Sequence, residues 1–128
     1  MKEQVKIGFV GTGGIAGHHL RQLAEVPAAH IAALCDVAAG RAEEAVAVHG
    51  GRAFSDYRRM LDEVELDALY VCVPPFAHEQ AEILAAERGV HLFVEKPVVM
   101  QLDQGVEILA AVEKAGIISS VGYSVRYT

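Results

Sequence analysis

The chain has 128 residues, 52% hydrophobic, 22% charged and 6% aromatic. That is one domain's length with apolar content for a core, which excludes a disordered or solvating segment. With 17 Asp and Glu against 11 Lys and Arg the net charge is −6, which argues against the basic face of a nucleic-acid binder.

Val5–Val10 (VKIGFV) is a short apolar run closed by glycines and predicts a first strand. Ile15–Val26 spaces Ile15, Leu20, Leu23 and Ala24 at roughly helical intervals and stops at Pro27. Ile31–Cys35 reads as a second strand, and Gly40–His49 as an alanine-rich helix stopped by Gly50 and Gly51. Ala53 and Phe54 give a short third strand, after which Ser55 or Asp56 caps a small helix through Leu61. Ala68–Val73 is apolar throughout and ends at Pro74 and Pro75. Ala77–Arg88 predicts a helix with Gly89 at its C′ position, and His91–Val94 a strand. Leu102–Ala115 is an amphipathic helix closed by Gly116, and Ile117–Val121 the last strand.

Continuous apolar strands alternating with helices imply a parallel sheet covered on both faces. Right-handed crossovers then make the fold α/β, a doubly wound parallel sheet of the Rossmann type in a single domain. Cys35 and Cys72 fall in apolar runs without a CxxC pair, and read as buried reduced thiols. The 6 histidines show no HxxxH or HExxH pattern, so no metal site is expected. His18 and His19, adjacent on a helix, are expected to point in different directions and to be solvated. No stretch reaches the roughly 20 apolar residues of a membrane span. Met1–Lys6 leads into a run broken by glycines where a secretory signal needs an unbroken apolar one, so a cytoplasmic location is expected.

The most informative stretch is Gly11-Thr12-Gly13-Gly14-Ile15-Ala16-Gly17, between the first strand and the first helix. Gly11 supplies a residue tolerant of positive φ for the tight turn. Gly13 lacks a Cβ, so the backbone can approach a pyrophosphate closely. Ala16 and Gly17 are small enough for the helix to sit against the sheet. The helix start offers N–H groups and partial positive charge to phosphate, so an acidic chain can still bind a nucleotide. Asp36 follows at the end of the second strand, about 20 residues on, as the dinucleotide fingerprint requires. Its carboxylate can accept from both ribose hydroxyls and repels a 2′-phosphate, which favours NAD over NADP. Arg41 lies close enough to swing toward such a phosphate. The plainer alternative is a tight turn and an Asp that caps the next helix. An S-adenosylmethionine methyltransferase shares the glycine turn and the acid.

At the same strand edge, Pro74 and Pro75 stiffen a loop where Phe76 or His78 could wall a pocket. Glu95-Lys96-Pro97 follows the fifth strand. A lysine in a ligand crevice can donate to a substrate oxygen or take part in proton transfer. On a solvated loop the same Glu–Lys pair has no chemistry.

In order and spacing, KIGFVGTGGIAGHH (6–19), LCDV (34–37), DALYVCVPPFAH (67–78), GVHLFVEKPVV (89–99) and SVGYSVRY (120–127) resemble the amino-terminal domain of the glucose-fructose oxidoreductase / inositol dehydrogenase / MocA family. The combined glycine loop, PPxxH and EKP displace the methyltransferase reading. The resemblance implies NAD or NADP on this domain, and hydride exchange between the nicotinamide and a hydroxyl-bearing carbon of a sugar or cyclitol. It implies Lys96 as the catalytic group at nicotinamide and substrate, Glu95 beside the cofactor ribose, and Pro97 after a cis peptide bond. Pro74, Pro75 and His78 would line the cofactor cleft, with Gly11, Thr12, Gly13, Gly14, Ile15, Ala16 and Asp36 completing the binding set.

Relatives of this kind carry a second domain that supplies the substrate pocket and a catalytic histidine. Residues 1–121 are therefore expected to form the NAD(P)-binding domain and 122–128 the start of a linker, with Arg126 and Tyr127 in that passage. The 128 residues alone are expected to be inactive, and apolar surface left uncovered favours a homo-oligomer. The alternative is a stand-alone, non-catalytic NAD sensor or interaction module.

Overall fold

The computed structural model describes residues 4–38, 40–72, 81–95 and 110–122. Six strands, β1 (Val5–Val10), β2 (Ala29–Cys35), β3 (Arg52–Phe54), β4 (Ala68–Val71), β5 (His91–Glu95) and β6 (Ser119–Gly122), form one sheet in the order β3-β2-β1-β4-β5-β6. Every strand pair is parallel. Between the strands run α1 (Gly14–Leu23), α2 (Arg41–His49), α3 (Tyr57–Glu63) and α4 (Ala81–Glu87), and residues 110–115 are helical before β6. This is the doubly wound fold, with the strand order of a Rossmann domain.

Side-chain alternation on the strands sends apolar groups to both faces. On one face Ile7, Phe9, Leu34 and Cys72 pack with Ala16 and Leu20 of α1, and Ala45 and Val46 of α2 join them. On the other, Val10, Cys35, Leu69, Val71, Leu92 and Val94 pack with Tyr57, Met60 and Leu61 of α3 and with Ala81 and Ala85 of α4. Phe9, Leu34, Leu69 and Val71 are completely buried, and each such side chain stabilises by roughly 1.5–3 kcal/mol. Both cysteines are buried thiols outside any disulfide, one in each core.

Element boundaries depart from the sequence expectation in ways the backbone explains. β2 starts at Ala29, two residues before the apolar run, because Val5 N–H already bonds Ala28 O at 2.7 Å and the ladder begins there. A bulge between Ile7 and Gly8 absorbs the extra residue Ala32. α1 ends at Leu23 and not at Val26: Glu25 N–H bonds Gln22 O and Val26 N–H bonds Leu23 O, a tightened last turn. α3 continues to Glu63, held by Arg59 Nε donating to Glu63 at 2.9 Å. β6 starts at Ser119: Ile118 O accepts from Leu92 N–H at 2.9 Å, but Ile118 N–H turns to His91 Nδ1 at 3.0 Å instead of a strand carbonyl. The expected first residues of the helix over 77–88 and most of that over 102–115 lie outside the described residues, whereas Gly89 and Gly116 close them with φ of 73° and 67°.

His18 and His19 do not diverge as expected; their rings meet edge to face at 5.7 Å. His19 is half-buried and lies 5.0 Å from Phe93 and 5.6 Å from Tyr70, while His18 is exposed. Phe9, Tyr70 and Phe93 stack across three adjacent strands with centroids 4.7 Å apart at each step. Burial, and then Cys72, push the Tyr70 hydroxyl above its ordinary pKa of 10.0.

Asp56, not Ser55, caps α3: its Oδ1 accepts from Arg58 N at 2.9 Å. Asp56→Ala is expected to cost about 1 kcal/mol in urea unfolding, and Ser55→Ala to leave the midpoint unchanged.

Candidate functional site

Because the strands run parallel, the residues that follow them emerge at one edge: Gly11 after β1, Asp36 after β2, Ser55 after β3 and Cys72 after β4. The order of strand addition reverses between β1 and β4, with β2 and β3 on one side of β1 and β4 to β6 on the other, and the crevice at such a switch point is where doubly wound sheets take ligands.

Gly11 leaves β1 with φ of 97°, and its N–H bonds Cys35 O at 2.7 Å. A side chain there would be strained, so the turn depends on glycine. Beyond it, a Cβ added to Gly14 would meet nothing within 4 Å, and one on Gly13 only Arg41 Nη1 at 3.9 Å. The outer side of the loop is therefore open at Gly13 and Gly14. No side chain caps α1 and its first turn holds no acid, so its N–H groups and positive end are left to an anion. Ile15, 43% exposed, stands at the loop's outer side. Ala16 is fully buried and lets α1 lie on the sheet. Gly17 does not share that task, since a Cβ there would meet only Arg21 Nη1 at 3.3 Å, the far end of a flexible chain on its own helix.

Asp36 joins the loop to the second strand. Its Oδ2 accepts from Thr12 N at 3.0 Å and from Thr12 Oγ1 at 2.8 Å, and its Oδ1 from Ala38 N at 2.8 Å. The Ala38 bond closes a local turn and caps no helix, since α2 has Gly40 at its N-cap without a side-chain bond, and the two bonds to Thr12 bind Asp36 to the glycine loop. Burial raises its pKa, yet bonds from Ala38 and Thr12 and the charge of Arg41 outweigh that, holding the carboxyl below its ordinary 3.8. Beside it, Cys35 is pushed up to about 12 by burial and then by Asp36 and Asp56, so the thiol stays protonated and inert at neutral pH.

From Asp36 a cleft of about 350 Å³ runs between the ends of β2 and β3 and the start of α2, with Ala38, Gly40, Arg52, Phe54 and Arg59 in its walls. The Arg52 guanidinium lies 5.0 Å over the Phe54 ring. Sequence reasoning missed these last three residues and the Thr12–Asp36 link. The signal was available in the strand order, which brings the residues after β1, β2 and β3 side by side.

Glu95 is the last residue of β5 and pairs through its backbone with Gly122, at the same sheet edge as Asp36. Pro74, Pro75, His78, Lys96 and Pro97 lie outside the described residues. Among the described residues no three His, Cys, Asp or Glu side chains gather as metal ligands, and no helix is long and apolar enough to cross a membrane.

An open glycine loop at the start of a helix, a fixed carboxylate beside it and a cleft beyond have the layout of a dinucleotide-binding domain. Comparison agrees: the profile of the Gfo/Idh/MocA oxidoreductase family, described as an NAD-binding Rossmann fold, matches residues 5–123. The chain belongs to this family. It is 36% identical over 128 residues to an uncharacterized oxidoreductase, YrbE, of Bacillus subtilis, covering 99% of this chain and 38% of the relative. It is 35% identical over 127 residues to inositol 2-dehydrogenase of Paracoccus denitrificans, covering 96% and 38%. Among solved structures, the WlbA dehydrogenase of Bordetella pertussis, in complex with NADH and UDP-GlcNAcA, superposes with a TM-score of 0.91 at 28% identity, covering 98% and 38%. The chain thus spans 38% of the length of each of these relatives.

The lowered pKa of Asp36 gives stability that is present above pH 3.8, the ordinary value, and is lost as pH falls through the lower folded value. In melting temperatures measured from pH 2 to 6, Asp36→Asn is expected to flatten the acid limb of the wild-type curve. Thiol labelling of the folded chain at pH 8 is expected to leave Cys35 unmodified until denaturant is added.

Proposed function

We propose that residues 1–121 are the NAD-binding domain, and 122–128 the start of the linker, of an oxidoreductase that moves hydride between NAD and a hydroxyl-bearing carbon of a sugar or cyclitol. The observation that carries this reading is the ionised Asp36 carboxylate, held beside an open glycine loop where the adenosine ribose of a dinucleotide would lie. A fixed negative charge there disfavours the 2′-phosphate of NADP. Gly11, Thr12, Gly13, Gly14, Ile15 and Ala16 would hold the diphosphate through backbone N–H groups, and the cleft at Phe54 would take the adenine.

NAD, when bound, supplies the hydride acceptor at its nicotinamide ring. The chain's own contribution is position and proton handling. Lys96, directly after β5 in sequence, donates a hydrogen bond to the reacting oxygen and relays its proton, and Glu95 meets the nicotinamide ribose. Pro74, Pro75, His78 and Pro97 wall the cleft, and the substrate is gripped largely by chain beyond this domain. Two relatives support a sugar or cyclitol: one is an inositol 2-dehydrogenase, and the other holds UDP-GlcNAcA beside NADH. The whole protein is proposed to work as a homo-oligomer in the cytoplasm.

Calorimetric titration tests the cofactor assignment. Asp36→Ala is expected to weaken NAD by about tenfold, the loss of a hydrogen bond to a charged group, and NADP far less; equal losses would remove the ribose assignment. In the whole protein, Lys96→Ala is expected to leave NAD affinity intact and lower turnover by about 10² or more. Normal turnover in that variant would end the case for Lys96.

A further inference from the structure

We propose that Thr12 is a positioning residue that sets cofactor preference, by pinning the Asp36 carboxylate between the adenosine ribose and Arg41. This rests on the proposed reading that Asp36 meets that ribose.

The argument is one of acceptor capacity. An ionised carboxylate offers about four lone-pair positions. Among the described residues three are filled: Thr12 N and Thr12 Oγ1 donate to Oδ2, and Ala38 N donates to Oδ1. One position, on Oδ1, remains for a ligand. Asp36 therefore accepts one ribose hydroxyl and not both, and it meets the ribose as a charge that cannot turn away.

Discrimination against NADP follows from that immobility. Arg41 acts on Asp36 through its charge, and its Nη1 lies 3.9 Å from where a Cβ on Gly13 would stand. A cation and an anion thus compete for the same approach to the loop. While Thr12 holds Asp36 in place, a 2′-phosphate meets the anion. With the hydroxyl removed, Asp36 keeps the backbone N–H groups of residues 12 and 38 but loses the side-chain bond that fixes Oδ2, so the carboxylate is freer to turn and leave the phosphate to Arg41. Glycine, alanine or an aliphatic residue at this position of the loop would preserve the turn and lose this control.

The test compares the wild-type chain with Thr12→Val, which removes the hydroxyl at nearly constant shape, and Thr12→Ser, which restores it. Dissociation constants for NAD and NADP are measured by calorimetry on each, and the Asp36 carboxyl is titrated by carbon-13 NMR without ligand. The expected result is a ratio of NADP to NAD constants that falls at least about fivefold in Thr12→Val, as loss of a charge-assisted hydrogen bond allows. Thr12→Ser should stay near wild type, and the Asp36 pKa should rise in Thr12→Val alone. An unchanged ratio in Thr12→Val, or the same fall in Thr12→Ser, overturns the proposal while leaving NAD binding standing. A wild-type chain that binds neither dinucleotide removes the cofactor reading and this inference together. The NMR titration separates the cases, because it reports the Thr12–Asp36 bond whether or not a ligand binds.

Discussion

Strand β1 is hydrogen-bonded along both edges, to β2 from Val5↔Ala29 to Val10↔Cys35 and to β4 from Ile7↔Ala68 to Val10↔Val71. It is the strand that both halves of the sheet share, and the register of those two ladders fixes what stands next to the glycine loop. The ladders run on past the strand ends: Gly11 N–H bonds Cys35 O, Asp36 N–H bonds Phe54 O, and Cys72 N–H bonds Val10 O. The candidate site is thus an extension of sheet hydrogen bonding into the loops. A shift of one residue in β2 would exchange Cys35 and Asp36, putting a thiol at the crevice and a carboxylate in the core.

The electrostatics of the site differ from those of the whole chain. A molecule of net charge −6 binds an anion only where the local field is reversed. Here that reversal comes from the uncapped start of α1 and the absence of acid from its first turn, with Arg41 nearby. The neighbouring negative charge, Asp36, is held in place by Thr12 and Ala38. Surface ion pairs such as Arg88–Asp62 and Lys6–Glu65 lie away from this arrangement and contribute little to stability.

The fold was legible in the sequence because its signals are local and repeated. Apolar runs bounded by Gly11, Gly50, Gly89 and Gly116 mark the alternation of strands and helices, and four of these glycines take positive φ. The loop and Asp36 were legible because their spacing carries its own geometry. What escaped depends on neighbours across the sheet. Thr12 reads as one more member of the loop, and the bond from its hydroxyl to Asp36 emerges only when β1 and β2 are placed side by side. His19 reads as a solvated histidine until Tyr70 and Phe93 stand beneath it. Arg52, Phe54 and Arg59 belong to a three-residue strand and a short helix, too brief to show periodicity, and only the common edge makes them one wall.

The contact between β1 and β4 also bears on how the molecule assembles. At its lower end Lys6 N–H donates to Asp67 Oδ2 and Asp67 N–H donates to Lys6 O, both at 2.8 Å, between residues 61 apart in sequence. The β1–α1–β2 unit and the β4–α4–β5 unit each close over short stretches of chain, whereas this seam joins them across the longest loop in the centre of the sheet. Loop-closure entropy makes such a contact late to form. The glycine loop, Asp36 and the Phe54 cleft all belong to the first half of the chain, so the step that unites the halves adds β4 beside a surface the first half already carries.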